Sequence, residues 1–122
     1  MTSVVILPET NETTLCLQLH DQVTAEDFDH YYHQEIKKRV AANGYFNMVV
    51  TYASDYKGWD PDAADLNLKS ILELGTKPHK LAYVNPPKRK ILLMKMTEPL
   101  LKGEIRYFEE GEYEDALKWI KE

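Results

Sequence analysis

The sequence predicts a mixed α/β domain with a mainly parallel five-stranded sheet and about four helices, in the order β-β-α-β-α-β-α-β-α. Short runs of β-branched or alternating apolar residues are separated by longer segments in which apolar residues recur with the period of a helix. Strands separated by helices need crossover connections, and these place neighbouring strands parallel. The length of 122 residues is typical of one domain, so we expect residues 1–122 to form a single unit.

Two strands are predicted at the start of the chain. "SVVIL" is a β-branched run that stops at Pro8, and "TTLCLQLH" alternates so that Leu15, Leu17 and Leu19 share one face. The polar link "PETNET" between them is typical of a turn. These strands should therefore form an antiparallel pair at one edge of the sheet.

The segment "TAEDFDHYYHQEIKKRVAANG" predicts the first helix. Thr24 is a favourable N-cap, and Asn43-Gly44 is a typical helix end. The apolar stripe with i, i+4 spacing predicts the buried face. Its members are Phe28, Tyr32, Ile36 and Val40, with Tyr31 beside them. The run "YFNMVVTYA" that follows predicts a buried strand.

A second helix is predicted to begin at Pro61, where the missing N–H costs nothing, and to end at Gly75. Asp60 stands in the N-cap position and should accept a hydrogen bond from the first turn. The residues expected to point inward are Ala64, Leu68, Ile71 and Leu72. "KLAYV" then predicts the fourth strand.

The C-terminal third predicts a short helix in "NPPKRKILLMKM", a fifth strand in "EIRYF" and a final amphipathic helix in "EYEDALKWIKE". Tyr113, Ala116, Leu117 and Ile120 should face the sheet. In the short helix, most of Leu92, Leu93, Met94 and Met96 should lie in the core. Because that helix is apolar nearly all round, a second apolar face lining a pocket or a dimer contact is the alternative.

Composition argues against several functional classes. The net charge of −5 disfavours binding to nucleic acid, which needs a basic face. Apolar runs long enough to span a bilayer are missing, so we expect no integral membrane association. The N-terminus has no basic lead or cleavage site of a signal peptide, and the single cysteine, Cys16, allows no internal disulfide. A cytoplasmic location follows, with Cys16 as a small buried apolar residue.

Catalytic signatures are missing as well. The sequence has no nucleophile elbow, P-loop or dinucleotide fingerprint, so we expect neither an enzyme nor a cofactor. His30 and His33 lie three residues apart on the first helix, with Asp29 nearby. Two ligands from one helix without a distant third are a weak signal, and no metal site is predicted.

Two turns are candidate binding elements. In "DYKGWDPDA" an exposed Trp59 would follow the carboxyl end of a strand, where open α/β sheets bind ligands. The alternative is structural: Gly58 permits the bend, Trp59 covers the sheet end, and Asp60 and Asp62 satisfy the helix N-terminus.

The second candidate element is the start of the short helix. Lys88, Arg89 and Lys90 lie in its first helical turn, where positive charge opposes the helix dipole. A bound anion, such as a phospholipid head group or an acidic partner, would explain the cluster. The alternative is that these cations are solvated, or paired with the aspartates of the neighbouring turn.

Three segments, "KGWDPDA", "KPHKLAYV" and "IRYFEEGEYEDALKWI", together with the element order, resemble the SpoIIAA-like family. This family is related to the STAS domains of anti-sigma-factor antagonists and is compared with lipid-binding CRAL-TRIO (Sec14-like) domains. The resemblance implies a bacterial source and a binding role. The antagonists carry a phosphorylated serine at the start of the second helix. Here that turn has none, because Ser54 precedes it and Ser70 lies well inside the helix.

Two functional hypotheses remain. The first is a non-enzymatic protein-interaction or regulatory module of STAS type, without the phosphorylated serine and with an unknown protein partner. A homodimer through an apolar helix is a further expectation. The alternative is a carrier or sensor of a small hydrophobic or lipid-like ligand, which requires an apolar cavity. The residues predicted to bind are Tyr56, Trp59, Asp60, Asp62, Lys88, Arg89, Lys90 and Met94.

Overall fold

The computed structural model describes residues 2–122 and has the predicted mixed α/β architecture. The strands are β1 Val4–Ile6, β2 Thr14–Leu19, β3 Gln22–Val23, β4 Phe46–Tyr52, β5 Gly58–Trp59, β6 Pro78–Val84 and β7 Glu104–Phe108. The helices are α1 Ala25–Phe28, α2 Gln34–Asn43, α3 Pro61–Leu74, α4 Lys88–Thr97 and α5 Tyr113–Lys121. A π-helical turn, Asp29–His33, joins α1 to α2, and a 3-10 turn, Glu98–Leu100, follows α4.

The main sheet has five strands in the order β1-β2-β4-β6-β7. As predicted, β1 pairs antiparallel with β2, and the other neighbours pair parallel. The sequence did not predict a second small sheet, in which the two-residue strands β3 and β5 pair parallel and place Val23 opposite Trp59. Strands of two residues carry no periodicity that a sequence pattern could reveal.

The two faces of the main sheet form two separate cores, because successive side chains on a strand point to opposite sides. One face carries Leu15, Leu17 and Leu19 and is covered by the helical segment 25–43 and by α3 and α4. The other face carries Cys16 and Val49 and is covered by α5. The first core is the larger, and the candidate site lies within it.

The first helical segment confirms its predicted start, end and buried stripe. Thr24 Oγ1 accepts a hydrogen bond from Asp27 N–H at 3.2 Å, and Gly44 ends α2 in the left-handed region with φ 83°. The predicted stripe faces the core; Phe28, Tyr32 and Ile36 are buried and Val40 packs beside them. The π-helical turn in its middle was not predicted, since its hydrogen bonds span only one residue more than those of an α-helix.

Of the four residues of α3 predicted to point inward, Ile71 does so, and the prediction was wrong for the other three. Ala64, Leu68 and Leu72 face solvent, whereas Ala63 and Ser70 are buried. The inward row contains Ala63, Leu66, Asn67, Ser70, Ile71 and Leu74. Its polar members, Asn67 and Ser70, made this row look less apolar than the row that faces outward, so the apolar pattern favoured the wrong face.

The prediction that most of α4 lies in the core was also wrong. This helix has no buried residue, and Leu92, Leu93 and Met96 are 70%, 62% and 67% exposed. Met94 is half-buried and packs against the larger core.

In the described part of the chain, residues 2–122, no helix is long and apolar enough to cross a bilayer.

The final helix, α5, packs as expected. Ala116 and Ile120 are buried, with Tyr113 and Leu117 packed at the margin of the smaller core. Trp119, which was not among the residues predicted to face the sheet, is buried there too and lies 6.1 Å from Phe108 between ring centroids.

Asp27 joins the edge strand β1 to the first helix. Its Oδ2 accepts hydrogen bonds from the Ser3 N–H and the Ser3 hydroxyl, both at 2.7 Å. Burial opposes ionisation of this carboxyl, but the hydrogen bonds from Ser3 outweigh it and hold the pKa of Asp27 below its ordinary value. The ionised form therefore stabilises the folded state.

We expect Ala63→Leu to destabilise the protein by about 1–3 kcal/mol and Ala64→Leu to change it by less than about 0.5 kcal/mol. Ala63 is fully buried, so added carbons overpack the core, whereas its neighbour Ala64 faces solvent. Urea unfolding followed by circular dichroism measures both values. The observed rotation of α3 would be refuted if Ala64→Leu were the more damaging change.

We expect Asp27→Asn to lower stability at pH 7 by about 1–2 kcal/mol, since it weakens two charge-assisted hydrogen bonds in a partly screened site. Because the folded pKa is lowered, this stabilisation is present above the unfolded pKa of 3.8 and is lost as the pH falls through the folded value. Urea midpoints at pH 7 and pH 3 should show the difference from wild type shrinking. Glu26→Gln, an exposed change in the same turn, is the control and should be smaller at both pH values.

Candidate functional site

A cavity of about 160 Å³ lies between the larger face of the sheet and the helices that cover it. Its walls are mainly apolar and aromatic side chains from the first helical segment, α3, α4 and strands β4, β6 and β7. The residues that line it include Tyr32, Ile36, Phe46, Met48, Tyr52, Tyr56, Trp59, Ser70, Ile71, Leu74, Leu81, Tyr83, Lys90, Met94, Ile105 and Tyr107. The volume matches that of engineered cavities that hold a benzene-sized molecule.

The cavity exists because α4 does not pack closely on the sheet. This helix follows Pro86-Pro87 and places Lys90 and Met94 toward the cavity, while its large apolar side chains point outward. The part of the sheet nearby carries Tyr83 and Tyr107, which are half-buried. A helix without a buried side chain leaves space above such a surface.

The structure brings four of the eight predicted site residues together around this cavity: Tyr56, Trp59, Lys90 and Met94. The other four, Asp60, Asp62, Lys88 and Arg89, lie outside its wall. The charge of Arg89 nevertheless acts on Tyr56 in the cavity wall. Burial raises the pKa of Tyr56, and the neighbouring Trp59 indole and then the charge of Arg89 act against that rise.

The turn "DYKGWDPDA" serves mainly to hold the fold together. Gly58 has φ 126°, and a Cβ there would lie 3.1 Å from Lys90 Nζ, so this position needs glycine. Trp59 was expected to be exposed, but it is half-buried, with its ring 5.4 Å from that of Phe28 and 5.9 Å from that of Tyr32. The indole therefore closes one end of the core and also lines the cavity.

The expected side-chain cap at Asp60 was wrong. Asp60 does occupy the N-cap position of α3, but its carboxylate accepts no hydrogen bond from the first turn. Its N–H donates to the Val23 carbonyl at 2.9 Å, so the small β3–β5 sheet holds this residue through the main chain. Elsewhere in the stretch, Asp55 pairs with His20 at 3.0 Å.

The basic turn does not pair with the acidic turn. Within residues 2–122, Lys88, Arg89 and Lys90 form no ion pair within 4.0 Å, so pairing with the neighbouring aspartates was a wrong alternative. Lys88 and Arg89 are exposed. Lys90 is half-buried, and its Nζ lies 5.4 Å from the centre of the Tyr56 ring, a cation–π distance.

Sequence reasoning missed a serine–histidine pair at the cavity wall. His33 Nδ1 lies 2.9 Å from Ser70 Oγ, and Ser70 is buried. Among the described residues, no carboxylate hydrogen-bonds the second nitrogen of His33, so the pair lacks the orienting group of a hydrolytic triad. The sequence signal was a serine inside an otherwise helical apolar pattern, 37 residues away from its partner.

Among the described residues, the cavity has neither a metal-ligand cluster nor a thiol. In residues 2–122, no cluster of three or more His, Cys, Asp or Glu side chains could hold a metal ion. Cys16 is fully buried, as predicted, and lies in the smaller core across the sheet from the cavity. Burial raises the pKa of its thiol to about 11, which keeps it protonated and unreactive.

We expect Trp59→Ala to lower the free energy of unfolding by about 2 kcal/mol, less than for a fully buried tryptophan because the ring is half-buried. Trp59→Phe retains an aromatic ring near Phe28 and Tyr32 and should lose less than half as much. Urea unfolding monitored by circular dichroism gives both values. Unchanged stability of Trp59→Ala would show that this ring is a surface anchor and not part of the core.

Comparison with known proteins supports the fold. A solved structure, an uncharacterized protein of the DUF3478 family with a SpoIIAA-like fold from Shewanella loihica PV-4, superimposes with a TM-score of 0.71. The two chains are 19% identical, and the match covers 98% of this chain and 95% of that one. No curated protein matches. The model of one protein family matches residues 14–121, and on this evidence the chain belongs to the SpoIIAA-like family.

Proposed function

We propose that this protein is a non-catalytic carrier or sensor of a small, largely apolar ligand that binds in the cavity between the sheet and helices α3 and α4. The observation that carries the proposal is the cavity itself, about 160 Å³ of space lined by aromatic and aliphatic side chains. Ligand sites of this kind are concave, mostly apolar and supplied with a few polar groups. Of the two hypotheses from the sequence, the carrier is the one that requires such a space.

The apolar wall supports the same proposal. The cavity is partly open to solvent, and water there meets mostly apolar side chains. An apolar ligand would displace that water and cover the wall, so the protein should be more stable when the cavity is occupied.

The chemistry of the wall favours binding over reaction. The Ser70–His33 pair has no orienting carboxylate within the described residues, and the cavity has no thiol, since Cys16 lies across the sheet. The start of α3, "DPDA", offers no hydroxyl for a phosphorylation switch of the anti-sigma-factor-antagonist type. Ligand binding is the function that these side chains support directly.

A protein-interaction role is the second candidate, because large apolar side chains are exposed on the outer faces of α3 and α4. They are Leu68, Leu72, Leu92, Leu93 and Met96. Exposed apolar groups of this size often mark contact surfaces. Sedimentation of the wild type and of Leu93→Lys would test this role in its simplest form, self-association, which the charged side chain should abolish.

We expect toluene to raise the stability of the wild-type protein and to do so much less for Ile71→Trp. A saturating apolar probe at about ten times its Kd adds roughly 1.4 kcal/mol to the free energy of unfolding. The indole at position 71 would fill the cavity, whereas Leu72→Trp is the matched control because Leu72 is 66% exposed. Thermal unfolding with and without toluene, followed by circular dichroism, measures the shift.

The proposal fails if toluene stabilises neither the wild type nor Leu72→Trp, or if Ile71→Trp responds as strongly as both. Native mass spectrometry of protein purified gently from its own host adds the natural ligand to the test. A mass above 14.2 kDa that is lost on denaturation, and is not a second subunit, is the expected result.

A further inference from the structure

Three tyrosine hydroxyls face the cavity without a partner in the described part of the chain. Tyr32 comes from the π-helical turn, Tyr52 from β4 and Tyr83 from β6, and all three line the cavity. Tyr32 and Tyr52 are only 7% and 8% exposed, yet neither they nor Tyr83 hydrogen-bond to any group in residues 2–122. Among residues 2–122, Thr51 Oγ1 is the unpaired polar side-chain atom that is fully buried, so the three hydroxyls are open to the cavity, where water or a ligand can bond them.

Other tyrosines of this protein show what the three lack. Tyr107 donates its hydroxyl to Glu98 Oε1 at 2.7 Å, and Tyr113 donates to Glu9. Both have a carboxylate as acceptor. The cavity wall contains one carboxylate, Glu98, and the hydrogen bond from Tyr107 already engages it. The other polar side chains of the wall, Asn67, Ser70 and Thr97, form no hydrogen bond with the three phenols, so these hydroxyls are available to water or to a ligand.

The three phenols stay protonated and therefore remain hydrogen-bond donors. Burial is the first cause that raises their pKa values, and for Tyr32 and Tyr52 the neighbouring tyrosines raise them further. For Tyr83 burial, together with the charge of Glu98, raises the pKa to about 12. A group of donors in a poorly solvated site is suited to bind an anionic oxygen.

Lys90 places a positive charge beside the same donors. Its Nζ lies over the Tyr56 ring, and the Tyr56 ring meets that of Tyr52 edge-on at 4.9 Å. Lys90 has no ion-pair partner within residues 2–122. A negative group bound at the hydroxyls would therefore share the cavity with a cation that has no ion-pair partner among the described residues, while Glu98 is engaged by Tyr107.

The other side chains of the wall determine the size and polarity of the rest of the ligand. Around the hydroxyls the cavity is aromatic and aliphatic, and its volume of about 160 Å³ is that of a benzene-sized cavity. A single flat ring matches this volume.

We propose that the cavity binds a monocyclic aromatic carboxylate, whose ring lies among the apolar side chains and whose carboxylate accepts hydrogen bonds from Tyr32, Tyr52 and Tyr83 near Lys90. This inference rests on the proposed function, because it names the ligand class of the same cavity. Its new content is the requirement for an anionic oxygen.

The test compares benzoate with toluene, which has a similar ring but no acceptor, by isothermal titration calorimetry at pH 7. Benzoate should bind wild-type protein at least about tenfold more tightly, since hydrogen bonds to charged groups are among the stronger ones. Tyr32→Phe should remove about tenfold of the benzoate affinity and leave the toluene affinity unchanged. Lys90→Met should also weaken benzoate alone.

Tyr31→Phe is the matched control, since Tyr31 precedes Tyr32 on the same helical turn and does not line the cavity. It should bind both probes like wild type. Tyr52→Phe provides a second variant from another element in case Tyr32→Phe does not fold.

The outcomes separate this inference from the proposed function. If toluene binds as tightly as benzoate and the Tyr→Phe changes have no effect, the carboxylate inference is overturned and the apolar cavity remains a ligand site. Benzoate binding that is equally lost in Tyr31→Phe would place the carboxylate elsewhere and overturn the inference as well. If neither probe binds, both proposals fall.

Discussion

The parallel pairing of β2, β4 and β6 is the constraint on which the rest of the molecule depends. In this register Leu17 lies opposite Val50, and Val50 lies opposite Tyr83. Because side chains alternate along a strand, the register decides which residues face the cavity and which face α5. A slip of one residue in β6 would turn Tyr83 to the other side and bring Ala82 or Val84 to the cavity. The edge strands can therefore add area to the sheet, but the three central strands determine the wall of the site.

Stability and ligand binding place opposite requirements on the packing of one face of the sheet. The helical segment 25–43 and α3 pack closely and bury Phe28, Ile36 and Ala63. Helix α4 completes the same layer without burying any residue. Close packing there would stabilise the fold further but would remove the space that a ligand needs, a trade between stability and function that is common at binding sites. The tyrosines at the wall fit the same balance because they pack as large apolar groups and still present hydroxyls.

Much of the fold was predictable, because strands β2, β4 and β6 and the first helix have strong local periodicity. The face of α3 was not, since Asn67 and Ser70 occupy inward positions and the exposed Leu68 and Leu72 mimic a core stripe. The sequence pointed to four residues that line the cavity, two from "DYKGW" and two from α4. Tyr32, Tyr52 and Tyr83 escaped notice as a group because they come from three separate elements, and only the tertiary arrangement unites their hydroxyls.

The division of the molecule by its sheet has a spectroscopic consequence. The chain has two tryptophans, and they lie on opposite sides: Trp59 beside the cavity and Trp119 in the smaller core, with Lys80 Nζ 5.2 Å from the centre of its ring. Each half of the protein thus contains its own intrinsic fluorophore. Variants that retain only one indole would report separately on the two halves, without any attached dye. Trp59 emission would follow events at the cavity, and Trp119 emission would follow the packing of α5.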